Sequence, residues 1–242
     1  MVFKLFESLE EFLDESANLI FKIYKESITK YNQFSLMLSG GNTPKPLFEK
    51  IAKDYNDKIN WERVFVFWAD ERYVDKESDD SNYKWAYKLL LSRVNIPQNN
   101  IYRIKTELPL EKAAEEYEKE IINFFQGKEP AFDLILLGIG KDGHTASLFP
   151  NSDLLTENNR LVAPVFPSGE PYVPRITVTY KVLNNAKNIL FLSSYNDKKN
   201  VIDEIITNKE KAKEKYPAAR VEARRIYFFS CQLPTAPRGG GL

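Results

Sequence analysis

The only histidine of the chain stands in a glycine-rich segment whose residue types suit proton transfer. Residues Gly138 to Ser147 read Gly-Ile-Gly-Lys-Asp-Gly-His-Thr-Ala-Ser, and three glycines in six residues indicate unusual backbone angles or close approach to another group. His144 has the side chain whose ordinary pKa suits a general acid or base near neutral pH. Asp142 could accept a hydrogen bond from one ring nitrogen and leave the other free as a base. A solitary histidine is more often structural, but this position after a glycine-rich turn favours catalysis.

A second polar segment, Ser39 to Pro44, has features of a phosphate site. Gly40 and Gly41 allow a tight turn with exposed N–H groups, and Asn42 and Thr43 can add donors. A helix predicted to follow would contribute its positive end. The alternative is an ordinary strand-to-helix turn with Thr43 as the N-cap residue. The segment is not a P-loop, because the Gly-x-x-x-x-Gly-Lys-Ser/Thr pattern is missing.

A third cluster is the triplet Asp70, Glu71 and Arg72 at the end of a predicted strand. Two carboxylates and a guanidinium could orient a polyol and hold a phosphate, because arginine presents a rigid fork of donors. The alternative is a surface salt bridge. Ser81 and Asn82, which open the next predicted helix, are interpreted as a helix cap.

Two further cations could reach a phosphate at the same place. Arg175 opens the β-branched run Ile176 to Thr179, and Lys198 stands near the start of a helix that follows an apolar strand. Lys199, one residue further on, is expected to be solvated.

Short apolar runs alternate along the chain with helical patterns, which predicts a mostly parallel α/β sheet with helices on both faces. The predicted strands are Phe34–Leu38, Val64–Trp68, Phe132–Leu137 and Ile189–Leu192. The predicted helices are Ser8–Tyr31, a segment through Leu47 and Ile51, Tyr83–Leu91, Leu110–Phe125 and Lys198–Ile206. In such sheets ligands bind at the carboxyl ends of the strands, so we expect the polar clusters to meet at one edge.

No linker divides the sequence, so residues 1–242 are expected to form one domain. The proline-rich stretch Pro164–Pro174 is expected to be a structured surface loop. The last residues, Leu233–Leu242, are rich in proline and glycine and are expected to be frayed.

The composition of the chain argues against several classes of binding partner and cofactor. The 34 basic and 34 acidic side chains cancel, so no overall field favours nucleic acid or a membrane surface. Cys231 is the only cysteine, which excludes an internal disulfide framework and a cysteine-based zinc site. The amino-terminal sequence lacks the apolar core of a signal peptide, so a cytoplasmic protein is expected. The Gly-x-Gly at the start of the histidine segment suggests a dinucleotide turn, but the placement of His144 argues against a nucleotide cofactor.

The same motifs, in the same order, resemble those of the 6-phosphogluconolactonase family. The resemblance runs from about Leu38 to Lys198 and is most specific in the string Asp-Gly-His-Thr-Ala-Ser-Leu-Phe-Pro that ends at Pro150. The related glucosamine-6-phosphate deaminases typically have Ile-Ala-Phe-Asn-Glu-Pro after the histidine. The chain departs from the family pattern at Asn42, where serine is usual, and at Tyr195, where glycine is expected.

The resemblance implies a modified Rossmann-like three-layer sandwich without a nucleotide or metal. It also implies hydrolysis of 6-phospho-D-glucono-1,5-lactone to 6-phosphogluconate, with His144 as the general base and Asp142 beside it. The residues it implies for binding the sugar phosphate are Gly40, Gly41, Asn42, Thr43, Asp70, Arg72, Arg175 and Lys198. The expected partner is this small molecule alone, and the expected state is a monomer or weak homodimer.

Three questions stay open at this level. Either the backbone N–H groups near Gly140 to Gly143 or Arg175 could stabilise the developing oxyanion. A glucosamine-6-phosphate deaminase is an alternative enzyme, although the residues after His144 argue against it. A non-catalytic sugar-phosphate sensor is an alternative of another class, but neutral charge and the lack of a spare domain argue against that.

Overall fold

The structure, a computed structural model, describes residues 1–232; the segment Leu233–Leu242, predicted to be frayed, lies outside the described residues. The strands, in chain order, are β1 (Val2–Phe6), β2 (Phe34–Leu38), β3 (Val64–Trp68), β4 (Asp70–Arg72), β5 (Leu134–Leu137), β6 (Val162–Ser168), β7 (Val173–Val178), β8 (Asn188–Ser194) and β9 (Arg225–Cys231). The α-helices are α1 (Leu9–Tyr31), α2 (Lys45–Asp54), α3 (Asn82–Leu89), α4 (Leu110–Phe124), α5 (Tyr180–Leu183), α6 (Lys199–Thr207) and α7 (Lys209–Lys215).

Six of the strands form one parallel sheet in the order β1-β9-β8-β5-β2-β3. Its central strands are continuous apolar runs because both of their faces are covered, and every residue of β2 and β5 is buried. The predicted bounds of β2 and β3 are confirmed. The strand predicted from Phe132 begins two residues later, at Leu134, and the one predicted at Ile189–Leu192 extends at both ends to form β8.

Helices cover both faces of this sheet. On one face, an apolar pocket is lined by Leu36 of β2 and Phe48 of α2. Val66 of β3 pairs with Leu36, so the next residue, Phe67, points to the opposite face. There the Phe67 ring lies 5.1 Å from the ring of Phe124 in α4. The predicted three-layer α/β architecture is therefore confirmed.

A second, antiparallel sheet, with the strand order β4-β7-β6, was not predicted. The stretch Pro164–Pro174, expected to be a surface loop, instead supplies most of the hairpin formed by β6 and β7. Prolines are typical of loops, so the sequence pattern does not indicate this hairpin. Strand β6 tolerates its prolines because it is an edge strand, where a missing N–H is acceptable. The triplet Asp70–Arg72, expected at a strand end, is itself strand β4.

Two strands of the parallel sheet that were not predicted lie together at one edge of it. Strand β9 lies between β1 and β8, and β1 forms the edge. Helix α1 follows β1 and is capped as its sequence indicates, since the Ser8 hydroxyl accepts the N–H of Glu11. Within residues 1–232, no helix has the length and apolar character that crossing a membrane requires.

Candidate active site

A cavity of about 170 Å³ lies where the carboxyl ends of the parallel strands meet the small sheet. It is lined by His144 and by Asn82 of α3. Every residue predicted to bind the sugar phosphate also lines it: Gly40, Gly41, Asn42, Thr43, Asp70, Arg72, Arg175 and Lys198. The structure thus brings the separate polar clusters of the sequence together at one edge of the sheet.

His144 and Asp142 form a hydrogen-bonded pair at this cavity. The Nδ1 atom of His144 lies 2.6 Å from Oδ1 of Asp142, and the same oxygen accepts the His144 backbone N–H at 3.1 Å. Burial tends to raise the pKa of Asp142, but the hydrogen bond and charge of His144 outweigh it and lower that pKa below its ordinary value. An ionised carboxylate can only accept, so Nδ1 carries the proton and a neutral His144 keeps a lone pair on Nε2.

The glycines of this loop allow the pair to form. A Cβ on Gly140 would lie 2.1 Å from His144 Nδ1 and 2.5 Å from Asp142 Oδ1, so only glycine fits there. Gly143 adopts a φ of +79°. The glycines at 138, 140 and 143 do have the Gly-x-Gly-x-x-Gly spacing, but turns rather than a helix follow them. A dinucleotide turn presents the pyrophosphate to a helix N-terminus, which this loop does not provide.

The turn after β2 is built around Asn82. A Cβ on Gly40 would lie 1.7 Å from Asn82 Oδ1, so the absence of a side chain at residue 40 admits the amide, and Gly41 has a φ of +91°. The interpretation of Thr43 as the helix cap is wrong. Helix α2 has Pro44 in the N-cap position, and no side chain caps it.

The small sheet contributes charged residues from within paired strands. Arg72 of β4 and Arg175 of β7 are register partners, so their side chains emerge on one face. Asp70, which is buried, accepts the hydroxyl of Ser147 at 2.7 Å and the Asn82 amide at 3.4 Å. Asn82 is therefore part of the site and more than a helix cap, a role that its position at the start of α3 did not reveal.

Arg175 is only 3 % exposed and is held by the tip of the hairpin. Its Nε donates to the carbonyl oxygen of Ser168 at 3.2 Å, and its Nη2 donates to that of Pro171 at 3.1 Å. Burial lowers the pKa of Arg175; the charge of Asp70 opposes this, and that of Arg72 adds to it. The Nη1 end is the part of the fork that these carbonyls leave for the cavity.

Glu71 does not belong to the site, so the triplet of β4 does not act as one unit. Its carboxylate accepts the backbone N–H groups of Arg72, Asn82 and Tyr83 and the hydroxyl of Ser81. Burial raises the pKa of Glu71 to about 7. This residue ties β4 to the start of α3, where Ser81 is the N-cap as predicted.

Two adjacent lysines have opposite surroundings. Lys198 lines the cavity, and burial lowers its pKa although the charge of Asp197 acts the other way. Lys199 is exposed, as expected, and pairs with Asp203. Tyr195 also donates to Asp203, at 2.7 Å, so the residue that replaces the expected glycine joins this surface pair.

Two of the backbone N–H groups considered as donors to an oxyanion already donate hydrogen bonds within the segment Gly138–Ser147, called here the histidine loop. The Gly140 N–H donates to the His144 carbonyl oxygen at 2.9 Å, and the Gly143 N–H donates to that of Gly140 at 3.1 Å. In the part of the chain that the structure describes, no group of three or more His, Cys, Asp or Glu side chains could hold a metal ion.

Comparisons with known proteins agree on one family. A family model described as "Glucosamine-6-phosphate isomerases/6-phosphogluconolactonase" matches residues 7–228. The chain is 41% identical over 201 residues to a 6-phosphogluconolactonase of Synechocystis sp., covering 81% of each chain. It is 44% identical over 172 residues to that of Thermotoga maritima, covering 71% of this chain and 74% of the other.

Solved structures give the same result. The crystal structure of the 6-phosphogluconolactonase from Thermotoga maritima superposes with a TM-score of 0.84 at 35% identity, covering 96% of this chain and 99% of the other. The 6-phosphogluconolactonase from Trypanosoma cruzi gives a TM-score of 0.82 at 29% identity, with 95% and 96% covered. By its sequence, its fold and the residues gathered at its cavity, the chain belongs to the glucosamine-6-phosphate isomerase/6-phosphogluconolactonase family.

Proposed function

We propose that this protein hydrolyses 6-phospho-D-glucono-1,5-lactone to 6-phosphogluconate, the second step of the oxidative pentose phosphate pathway. The observation that carries the proposal is the hydrogen bond of 2.6 Å between Asp142 Oδ1 and Nδ1 of His144, a histidine that lines the cavity together with Arg72, Arg175 and Lys198. A base beside several cations suits attack of water on an anionic ester. The relatives named 6-phosphogluconolactonase support this substrate.

In the proposed mechanism, His144 acts as the general base. Its Nε2 takes a proton from a water molecule while the water oxygen forms a bond to the lactone carbonyl carbon. The tetrahedral intermediate then breaks its bond to the ring oxygen, and the His144 imidazolium returns the proton to that oxygen. Asp142 holds the ring and stabilises the imidazolium. General-base catalysis of this kind contributes about 10²–10⁴-fold.

Arg175 is the preferred donor to the developing oxyanion. Its Nε and Nη2 are fixed by hairpin carbonyls, so the guanidinium is already oriented before substrate arrives. The N–H groups of Gly140 and Gly143 are the less suitable donors, because each is donated within the loop.

The other residues of the cavity hold the phosphate and the sugar chain. Arg72, Lys198 and the turn Gly40–Thr43 supply cationic and neutral donors for a phosphate dianion. Asp70 is engaged by Ser147, but a carboxylate has further lone pairs, so it can still accept a substrate hydroxyl. The reaction adds water across one bond and requires no redox cofactor.

The positions after His144 distinguish this proposal from a deaminase. The deaminase string has glutamate where this chain has Phe149 and phenylalanine where it has Ser147. The second carboxylate beside the histidine is therefore replaced by an aromatic ring, and the hydroxyl that engages Asp70 is specific to the lactonase-like string.

The test is acid release from freshly prepared lactone, corrected for spontaneous hydrolysis. The wild-type protein should accelerate it, and His144→Ala should lower kcat by about 10²–10⁴-fold. Binding of 6-phosphogluconate, measured by calorimetry, should persist in the variant because its phosphate contacts remain. A variant that retains wild-type kcat within a few-fold would exclude the general-base role. Product binding without hydrolysis by the wild type would favour a sensor.

A further inference from the structure

The ring of Phe149 packs directly on the proposed base. The ring centroids of His144 and Phe149 are 4.6 Å apart, with an angle of 40° between the planes. Phe149 is 8% exposed, so neighbouring residues fix its position. The imidazole is thus held at two places, by Asp142 at Nδ1 and by the Phe149 ring across its plane.

The tip of the β6–β7 hairpin forms the other side of this packing. Gly169 has a φ of +69°, and a Cβ there would lie 2.9 Å from Cε1 and 3.0 Å from Cζ of Phe149. The same Cβ would lie 3.3 Å from Nη2 of Arg175. The guanidinium carbon of Arg175 lies 5.5 Å from the centre of the Phe149 ring. Hairpin, arginine, phenylalanine and histidine therefore form one continuous set of contacts.

We infer that Phe149 is a positioning residue for His144, and that the hairpin tip Ser168–Pro171 fixes Phe149 and Arg175 together. The carbonyl oxygens of the tip orient Arg175, while the absence of a side chain at Gly169 leaves room for the Phe149 ring as it lies against the imidazole. The effects on kcat that this inference predicts rest on the proposed function. The packing itself can be tested without that function.

The sharpest test compares Gly169→Ala with Gly127→Ala. Both glycines have positive φ angles, +69° and +73°, so an alanine strains the backbone similarly at each. A Cβ on Gly127 meets nothing within 4 Å, whereas one on Gly169 displaces Phe149. We expect both variants to fold, with Gly169→Ala the less stable of the two, because only its added Cβ meets another side chain. Only Gly169→Ala should lower kcat, by about ten- to a hundredfold with a smaller change in KM, because a small misplacement of reacting groups is costly.

His144 provides a readout that does not depend on turnover, because it is the only histidine in the sequence. In untagged protein, NMR of the imidazole gives one set of signals. Gly169→Ala should shift those signals, since the neighbouring aromatic ring moves. Gly127→Ala should leave them as in the wild type. Unchanged His144 signals in Gly169→Ala would overturn the inference.

A double-mutant cycle tests whether the effect passes through Phe149. Phe149→Leu removes the ring carbons that a Cβ at residue 169 would displace. Adding Gly169→Ala to it should therefore lower kcat little further. A full additional loss in the double variant would show that the hairpin acts by another route. A wild type without lactonase activity, combined with the predicted NMR shifts, would refute the proposed function and leave the positioning role intact.

Discussion

The two sheets supply the candidate site in different ways. The parallel sheet contributes loops that follow its strands, among them the turn at Gly40–Thr43 and the loop that carries His144. The antiparallel sheet contributes Arg72 and Arg175 from within β4 and β7, where backbone hydrogen bonds to a neighbouring strand fix the main chain. Loops can adopt the tight turns that a hydrogen-bonded catalytic pair requires. Paired strands instead hold fixed charges at a set spacing.

That spacing has an energetic consequence. Like charges directly opposite each other on adjacent strands destabilise a sheet. Arg72 and Arg175 are such a pair, and the charge of Arg72 contributes to the lowered pKa of Arg175. A bound anion would relieve this repulsion. The comparison therefore predicts that changes in the histidine loop act on kcat, whereas changes in β4 act on KM.

The largest effect is expected from Asp142→Asn in the loop. The amide cannot stabilise an imidazolium as a carboxylate does, so kcat should fall by at least about a hundredfold with little change in KM. The lowered pKa of Asp142 also gives a sign for stability. This carboxylate stabilises the fold above the ordinary pKa of 3.8, and the contribution is lost as pH falls through its lower folded value. The difference in melting temperature between wild type and variant should therefore vanish in strong acid.

The strand-borne counterpart is Arg72→Ala. Removing a charged hydrogen-bond donor from the phosphate should raise KM by roughly ten- to a hundredfold and leave kcat nearly unchanged. Arg93→Ala is the matched control, because that side chain is 47% exposed and does not line the cavity. A fall in kcat with unchanged KM would contradict the division of roles between the loop that carries His144 and strand β4.

The smallest effect is expected from the adjacent lysines. Lys198→Met should raise KM by about tenfold, because it removes a partly desolvated cation from the cavity. Lys199→Met removes a cation of the same size that pairs with Asp203 on the surface, and it should leave kinetics unchanged. Equal effects of the two substitutions would mean that general attraction of the anion, and not contact, accounts for the role of Lys198.

The sequence predicts four of the six strands of the parallel sheet, β2, β3, β5 and β8, because burial on both faces leaves an unbroken apolar run, as in Phe34–Leu38. It predicts the second sheet poorly. Strand β4 consists of three charged residues, two of which are buried, so no apolar pattern marks it. The prolines of β6 are typical of a loop, and a strand can contain them here because β6 lies at the edge of its sheet.

The site shows a similar division. Glycine-rich turns and isolated charges after strands are visible in a sequence, and those residues do meet at the cavity. Residues whose part depends on contacts from distant segments are not visible. Asn82 looks like a cap until Gly40 is placed against it, and Gly169 looks like a turn residue until the Phe149 ring is found there. The roles of Glu71 and Asp70, neighbours in one strand, are likewise separated only by the direction of the side chains.

The pairing of β1 with β9 also constrains how the chain can fold. Val2 is the register partner of Tyr227, and the only sheet neighbour of β1 within residues 1–232 is β9. On a ribosome β1 is therefore made well before its partner and stays unpaired until β9, more than 200 residues later, has emerged. Joining segments so far apart carries a loop-closure cost that local pairs avoid. This edge should be the last part of the sheet to form, well after β2 and β3 have paired.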